Sequence, residues 1–167
     1  MAARAIVATV AGLGLVGAGV AGLGIAGDDN STRNSSGQII EAGEVGVFRI
    51  RLGDCLTSLP FDTTLESARA VPCSEPHIYE VVGAFNVPGA PGAPYPGDTR
   101  MEQYAVQCVS EFEKYVGARF QYSQYTVESY IHPSEESWDQ LDDREILCFG
   151  SHMSVTSRIG SMRNVGS

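Results

Sequence analysis

The sequence predicts an α+β domain, a small antiparallel sheet with one main helix and two disulfides, preceded by an N-terminal transmembrane or signal helix. Apolar runs of strand length alternate with turn residues, and a single segment carries helical spacing. Four cysteines follow a hydrophobic N-terminus, which is typical of an exported, disulfide-bonded domain. The length of 167 residues fits one domain, with about 120 residues left to fold behind the N-terminal segments.

Residues 1–27 are predicted to be a membrane anchor or a signal segment. Ala5 to Gly27 carries no charge, and a helix of this length spans about 34 Å, enough for the hydrocarbon core of a membrane. Arg4 before it and Asp28 after it orient the N-terminus to the cytoplasm. Residues 24–26, Gly-Ile-Ala, also suit signal-peptide cleavage, so retention and cleavage both stay open. Either outcome leaves the domain outside the cytoplasm.

The same segment contains a glycine pattern that resembles a nucleotide-binding loop. Residues 12–17 match G-x-G-x-x-G, and the pattern repeats from Gly17 and again from Gly22. A dinucleotide-binding turn feeds a helix and then a second strand, whereas here the third copy runs into polar chain. The repeats therefore indicate a membrane segment rich in small residues, and no nucleotide is expected to bind.

The rest of the chain divides into a linker, a domain and a tail. Residues 28–38 are polar and predict a flexible linker. The domain is expected over residues 39–155, and residues 156–167 are expected to fray. Within the domain, apolar runs predict extended segments at 45–50, 69–71, 78–87, 120–131 and 145–149. Residues 88–97 are rich in proline and glycine and predict a loop, and residues 133–143 predict a turn with at most one helical turn.

One helix is predicted over residues 100–116. Thr99 and Glu102 have the spacing of a capping box, and Gly117 is a typical helix stop. Apolar residues recur at helical spacing between these two ends, namely Met101, Tyr104, Ala105, Cys108, Phe112, Tyr115 and Val116.

The four cysteines predict two disulfides. Cys55, Cys73, Cys108 and Cys148 have neither C-x-x-C spacing nor the spacing of a zinc site. Of three pairings, we favour Cys55 with Cys73, which closes a loop between neighbouring strands. In the same pairing, the second disulfide joins Cys108 on the helix to Cys148 on the last strand. Sequence alone leaves the other two pairings open.

Charge and motifs exclude several functions. From Ile39 to Ser157 the chain has seven Arg or Lys and eighteen Asp or Glu, a net charge of about −11, so nucleic acid is not an expected partner. His77, His132 and His152 are scattered, and neither G-x-S-x-G nor H-E-x-x-H occurs. Disulfide pairing would consume every thiol. We therefore expect no catalysis and no cofactor.

Two groups of residues have side chains of the kinds that bind metal ions. His77 and Glu80 lie three apart on a predicted strand, which places them on opposite faces and argues against a shared ion. The acidic run 135–143 lacks the sixth-position glycine and the terminal glutamate of an EF-hand loop. Trp138 within that run is interpreted as a core residue. No metal site is predicted.

A set of local motifs resembles one known family. In chain order the motifs lie at residues 52–56 (LGDCL), 71–77 (VPCSEPH), 80–83 (EVVG), 95–97 (YPG), 115–117 (YVG), 133–138 (PSEESW) and 144–148 (REILC), with Cys108 and Phe112 between them. Together they resemble the septum-formation domain of actinobacterial membrane and secreted proteins, over about residues 50–165. The resemblance implies an extracytoplasmic α+β domain connected to the division septum or cell envelope, and it supplies no catalytic residues.

These observations predict a membrane-tethered, extracytoplasmic interaction module associated with septum formation or the cell envelope. Its expected partners are the membrane, through residues 5–27, and envelope or division proteins. The candidate interaction patch consists of Glu75, Pro76, His77, Glu135 and Trp138. Residues 73–77 could equally form a rigid turn around a disulfide. The alternatives are a freely secreted, disulfide-stabilised binding protein and an envelope enzyme, which lacks a nucleophile with its base.

Overall fold

The computed structural model describes residues 2–3, 29–59 and 65–166. The predicted membrane or signal helix at residues 5–27 lies outside these ranges. Within them, no helix combines the length and the apolar character needed to cross a membrane.

The described chain forms a mixed β-sheet with helices packed on it. The strands are β1 (Ala2–Ala3), β2 (Thr32–Arg33), β3 (Ile39–Glu41), β4 (Gly43–Gly46), β5 (Cys55–Leu56), β6 (Ser67–Val71), β7 (Tyr79–Asn86), β8 (Tyr125–His132) and β9 (Glu145–His152). The helices are α1 (Asp98–Ala105), α2 (Cys108–Val116) and α3 (Glu135–Leu141), with 3₁₀ turns at Val47–Arg49 and Phe120–Tyr122. Seven strands pair in the order β1-β8-β9-β7-β5-β6-β4, and β2 pairs with β3 as a separate hairpin.

The sheet is antiparallel as predicted, apart from the parallel pair of β1 with β8. β9 is an inner strand of this sheet, pairs with β7 and β8, and is buried on both faces. Ile146 and Cys148 pack with the helices, while Leu147 and Phe149 pack in a second cluster on the opposite face. This alternation follows from the two-residue repeat of a strand. A central strand between two apolar layers explains why residues 145–149 read as a continuous apolar run.

The predicted single helix is a bent helix. α1 and α2 are separated at Val106 and Gln107, where the Gln107 N–H donates to the Tyr104 carbonyl, three residues back, at 2.9 Å. This tighter turn breaks the regular four-residue pattern of hydrogen bonds. Gly117 ends α2 in the left-handed conformation, at φ 79°, as predicted. The predicted capping box at Thr99 is wrong, because Gly97 is the N-cap and no side chain caps it.

A capping box is present at the start of α3. The Ser137 N–H donates to the Ser134 hydroxyl at 3.0 Å, and the Ser137 hydroxyl accepts from the Ser134 N–H at 3.0 Å. This pair supports seven helical residues where the sequence predicted at most one turn.

Near the other end of the domain, the predicted strand at 45–50 stops at Gly46. Val47 and Ile50, three residues apart, are both buried, which is the spacing of the 3₁₀ turn found there.

Both disulfides of the favoured pairing are present. Cys55 on β5 is bonded to Cys73 in the turn after β6, with Cα atoms 5.3 Å apart. Cys108 at the start of α2 is bonded to Cys148 on β9, with Cα atoms 5.5 Å apart. The second bond fastens the bent helix to an inner strand of the sheet.

The predicted linker and tail are largely part of the fold. From Asp29 onward the polar stretch is ordered, and β2 within it pairs with β3. The C-terminal segment, residues 158–166, packs along the domain through backbone hydrogen bonds. Its Gly160 N–H donates to the Cys73 carbonyl at 2.6 Å, and its Gly166 N–H donates to the Val116 carbonyl at 2.9 Å. Defined contacts therefore hold residues 30–38 and 158–166, where the sequence predicted a flexible linker and a frayed tail.

Candidate functional site

A buried carboxylate, that of Glu80 on β7, lies at the centre of the candidate site. The Tyr115 hydroxyl donates to Oε1 at 2.6 Å, and the Met162 backbone N–H donates to Oε2 at 2.6 Å. The Ser161 hydroxyl is a third donor, also to Oε1. A carboxylate removed from water needs such partners, because burial without them is costly. Glu80 thus joins the sheet, α2 and the C-terminal segment in one polar cluster.

Tyr115 occupies the buried face of α2, where it meets both Glu80 and the C-terminal segment. Burial raises the pKa of its phenol to about 12, and the negative charge and hydrogen bond of Glu80 act in the same direction. The phenol is therefore a neutral donor at physiological pH. On its open side, the Arg163 guanidinium lies over the tyrosine ring, with its carbon 4.5 Å from the ring centroid.

His77 is buried next to this cluster, in the turn that precedes β7. Its backbone N–H donates to the Arg158 carbonyl at 3.0 Å, and the Arg158 N–H donates back at 2.8 Å. Its ring Nδ1 lies 2.8 Å from the Glu75 carbonyl, which can only accept, so Nδ1 carries the proton. Nε2 is buried without a hydrogen-bond partner in the described part of the chain. Burial lowers the pKa of the imidazole and favours the neutral ring.

The expectation that His77 and Glu80 lie on opposite faces is wrong. β7 begins at Tyr79, so His77 belongs to a turn, and the alternation of a strand does not extend to it. One ring nitrogen of His77, one carboxylate oxygen of Glu80 and the sulfur of Cys55 all lie within 4.8 Å of one another. Three residue types that can ligate transition metals therefore meet at the Cys55–Cys73 disulfide, which includes one of them.

A cleft of about 770 Å³ opens above this disulfide. We call it the disulfide cleft. Its walls are the β2–β3 hairpin, the turn at 51–54, the turn at 72–75 and the C-terminal segment, and Tyr115 also lines it. Arg51 and Arg163 bring two exposed guanidinium groups to it, and Leu52 adds an exposed apolar side chain. Exposed Glu75 and buried Asp54 line the cleft too, so its lining carries charges of both signs.

An ion pair holds the hairpin wall of the cleft in place. Arg33 on β2 contacts both carboxylate oxygens of Asp54, at 2.7 and 2.8 Å, and also donates to the Gly37 carbonyl at 2.8 Å. Asp54 is buried and accepts the Arg51 N–H as well, at 2.8 Å. A two-point arginine–carboxylate contact fixes orientation as well as distance. The hairpin is therefore fastened in a defined orientation to the turn at 51–54, another wall of the cleft.

The structure divides the predicted interaction patch into two regions. Glu75 lines the disulfide cleft, Pro76 is exposed beside it, and His77 is buried. Trp138 instead lines a separate, shallow depression with residues 91–93 and 139–142, and it does not line the disulfide cleft. Glu135 is exposed in the first turn of α3.

Trp138 is a core residue, as the sequence indicated. Its side chain is buried, and its indole N–H donates to the Ala93 carbonyl at 2.6 Å. The Arg144 guanidinium covers the ring, with its carbon 3.6 Å from the ring centroid. Trp138 thus joins α3 to the proline-rich loop and has little surface left for a partner.

Sequence reasoning missed the residues that complete the site. Ser161, Met162 and Arg163 fell in the predicted tail, and Arg33 fell in the predicted linker. Their local sequence is polar and lacks periodicity, and long-range contacts order it. The only local signal was a lone methionine, Met162, whose side chain is fully buried.

Comparison with known proteins gives a family and two relatives. The family described as "Septum formation" matches residues 52–164, which include Glu80, Tyr115 and Met162. Two uncharacterized membrane proteins, from two strains of Mycobacterium tuberculosis, are each 32% identical to the chain over 108 residues. Each alignment covers 60% of this chain, and the chain spans only 23% of the length of either relative. No solved structure matches the chain.

Proposed function

Because the chain belongs to the septum-formation family, we propose that it is a membrane-tethered, extracytoplasmic interaction module of the division septum or cell envelope. The N-terminal segment 5–27 would be the tether, with the N-terminus in the cytoplasm. The relatives in Mycobacterium tuberculosis are named membrane proteins, and two disulfides suit an oxidising compartment. The module acts by binding, without catalysis, nucleotide or nucleic acid.

The observation that carries this proposal is the disulfide cleft. A cleft of about 770 Å³ has the size of a binding site, and its walls are held by a disulfide, an ion pair and the Glu80 cluster. Preformed walls lower the entropy lost on binding. The Arg51 and Arg163 side chains have no carboxylate within ion-pair distance in the described part of the chain. We propose that these two guanidinium groups bind an acidic segment of an envelope or division protein, which must lie away from Glu75, the exposed carboxylate in the same lining.

Localisation in dividing cells tests the cellular part of the proposal. A fluorescent protein that folds outside the cytoplasm is fused to the C-terminus of the full chain in its native host. We expect accumulation at mid-cell in the membrane fraction. An even distribution along the envelope would contradict a septal role. Recovery from the medium would instead support the freely secreted binding protein, for which residues 24–26 offer a cleavage sequence.

Crosslinking tests whether the cleft is the docking surface. A photoreactive amino acid replaces Leu52, which is 45% exposed and lines the cleft, and the control replaces Val106, which is 72% exposed and lies outside it. We expect a specific crosslinked protein from Leu52 alone. Arg51→Glu with Arg163→Glu should abolish that product, whereas Arg119→Glu, an exposed arginine elsewhere, should not. Equal products from both positions would overturn the assignment.

A further inference from the structure

His77 Nε2 is one of three buried side-chain nitrogens without a hydrogen-bond partner among the described residues, and the only one of the three that can accept; the other two belong to Arg33 and Arg158. The ring is 1% exposed, and Nε2 has no hydrogen-bond partner in the described part of the chain. Because Nδ1 donates to the Glu75 carbonyl, Nε2 of the neutral ring holds a lone pair. A buried acceptor without a donor is costly, and few are found in folded proteins. This arrangement, with Nδ1–H on a backbone carbonyl, is the one that metal-binding histidines adopt.

We infer that reduction of the Cys55–Cys73 disulfide converts this cluster into a zinc site formed by Cys55, Cys73, His77 and Glu80. The sulfur of Cys55, a ring nitrogen of His77 and a carboxylate oxygen of Glu80 already lie within 4.8 Å of one another. Cys73 is bonded to Cys55 and brings the second sulfur to the same place. Two thiolates, an imidazole and a carboxylate make a donor set that suits a four-coordinate zinc ion.

The redox step is a two-electron thiol–disulfide exchange. A dithiol supplies two electrons and two protons, becomes a disulfide itself, and leaves Cys55 and Cys73 as thiols. The dithiol reaches the disulfide through the cleft and attacks at Cys73, because Cys73 lines the cleft and is half-buried, whereas Cys55 is fully buried. Zinc then displaces the two thiol protons, which pass to water. In the oxidised protein both sulfurs are bonded to each other and cannot act as thiolates.

The surrounding hydrogen bonds support this assignment of ligands. Tyr115, Ser161 and the Met162 N–H orient the Glu80 carboxylate, and the Glu75 carbonyl orients the His77 ring. Such outer contacts fix ligand geometry in metal sites. Bound zinc would also satisfy the lone pair of Nε2 and offset the buried charge of Glu80. The ion would replace the disulfide as the link between β5 and the 72–77 turn.

The test uses the full chain in detergent micelles, with zinc or cobalt ion as the probe. A phosphine, which reduces a disulfide without adding a thiol, is applied to the folded protein. Cys55–Cys73 should react first, because both cysteines of the other disulfide are buried. Mass spectrometry verifies that Cys108–Cys148 is intact. We expect the reduced protein to bind one zinc ion at least 100-fold more tightly than the oxidised protein, and cobalt to give sulfur-to-metal charge-transfer absorption.

The matched control is the double variant Cys55→Ser, Cys73→Ser, which lacks the same crosslink but has no thiolates. We expect it to bind zinc no better than the oxidised protein. His77→Ala should weaken zinc binding to the reduced chain at least 10-fold, with its fold checked by circular dichroism. Zinc binding by the double serine variant equal to that of the reduced wild type would overturn the proposal. So would undiminished binding by His77→Ala, or a reduced wild type that stays unfolded with zinc present.

Discussion

At the scale of single residues, the burial of Glu80 makes its three donors important for stability. The carboxylate is fully buried on β7, and each donor comes from a different residue, two of them in the C-terminal segment. A hydrogen bond to a charged group contributes about 1.5 to 3 kcal/mol to stability, more than one between neutral groups. Loss of any one donor removes one of the three hydrogen bonds that offset the cost of burying this charge.

The first prediction concerns Tyr115→Phe, which removes one of these donors and little volume. We expect the free energy of unfolding to fall by about 2 kcal/mol, because Glu80 loses a charge-assisted hydrogen bond while the ring stays packed. Urea unfolding measures it. The control is Tyr122→Phe, since that side chain is 70% exposed and should change stability by less than about 0.5 kcal/mol. Equal effects of the two substitutions would show that the Glu80 contact contributes nothing.

At the scale of elements, the predictions from sequence were right where local pattern decides structure. Residues 145–149 and 78–87 are apolar runs of strand length, and both are central strands. Gly117 ended the helix as predicted, since a left-handed stop favours glycine. The helix predicted from the spacing of apolar residues over 100–116 is also present. The spacing did not predict its bend, because residues 106 and 107 fit a regular helix or a tighter turn equally well.

The predictions failed where distant contacts decide structure. Arg33 is ordered by Asp54, 21 residues further along the chain, and Met162 is ordered by Glu80, 82 residues earlier. A polar stretch with no periodicity gives no sign of such partners. His77 was misplaced for a related reason, because the start of β7 at Tyr79 was not resolved from sequence. The sequence therefore indicated the cysteines of the candidate site and two residues of its 72–77 turn, Glu75 and His77, but not the distant residues that complete it.

The second prediction tests whether the C-terminal segment is part of the fold. Met162 is fully buried among residues of the helix-side core, and its sulfur lies near Gly150 of β9. We expect Met162→Ala to lower the free energy of unfolding by about 2 to 5 kcal/mol, because it leaves a cavity in that core. The matched control is Met153→Ala, a methionine that is 56% exposed and should be nearly neutral. A neutral Met162→Ala in urea unfolding would mean that the tail frays.

In the molecule as a whole, the two disulfides stabilise different parts of the domain. Cys108–Cys148 fastens the helices to one face of β9, where both cysteines belong to the buried core. Cys55–Cys73 lies at the floor of the disulfide cleft and joins β5 to the turn that carries Glu75. The first bond therefore supports the core, and the second supports the surface that we propose for binding. Removal of each should have a different effect.

The third prediction concerns this difference. The chain-entropy model gives about 3 kcal/mol for a loop of separation 18 and about 4 kcal/mol for a loop of separation 40. Cys108→Ala with Cys148→Ala also opens a cavity in the core, because both side chains are buried. We expect this double variant to lose more stability than Cys55→Ala with Cys73→Ala, by about 1 to 3 kcal/mol in urea unfolding. Crosslinking from position 52 should fall more in Cys55→Ala with Cys73→Ala than in the other double variant, because only this variant removes the disulfide at the floor of the cleft. If both double variants lost stability and crosslinking to the same extent, the two disulfides would support one cooperative structure. The assignment of one bond to the core and the other to the cleft would then be wrong.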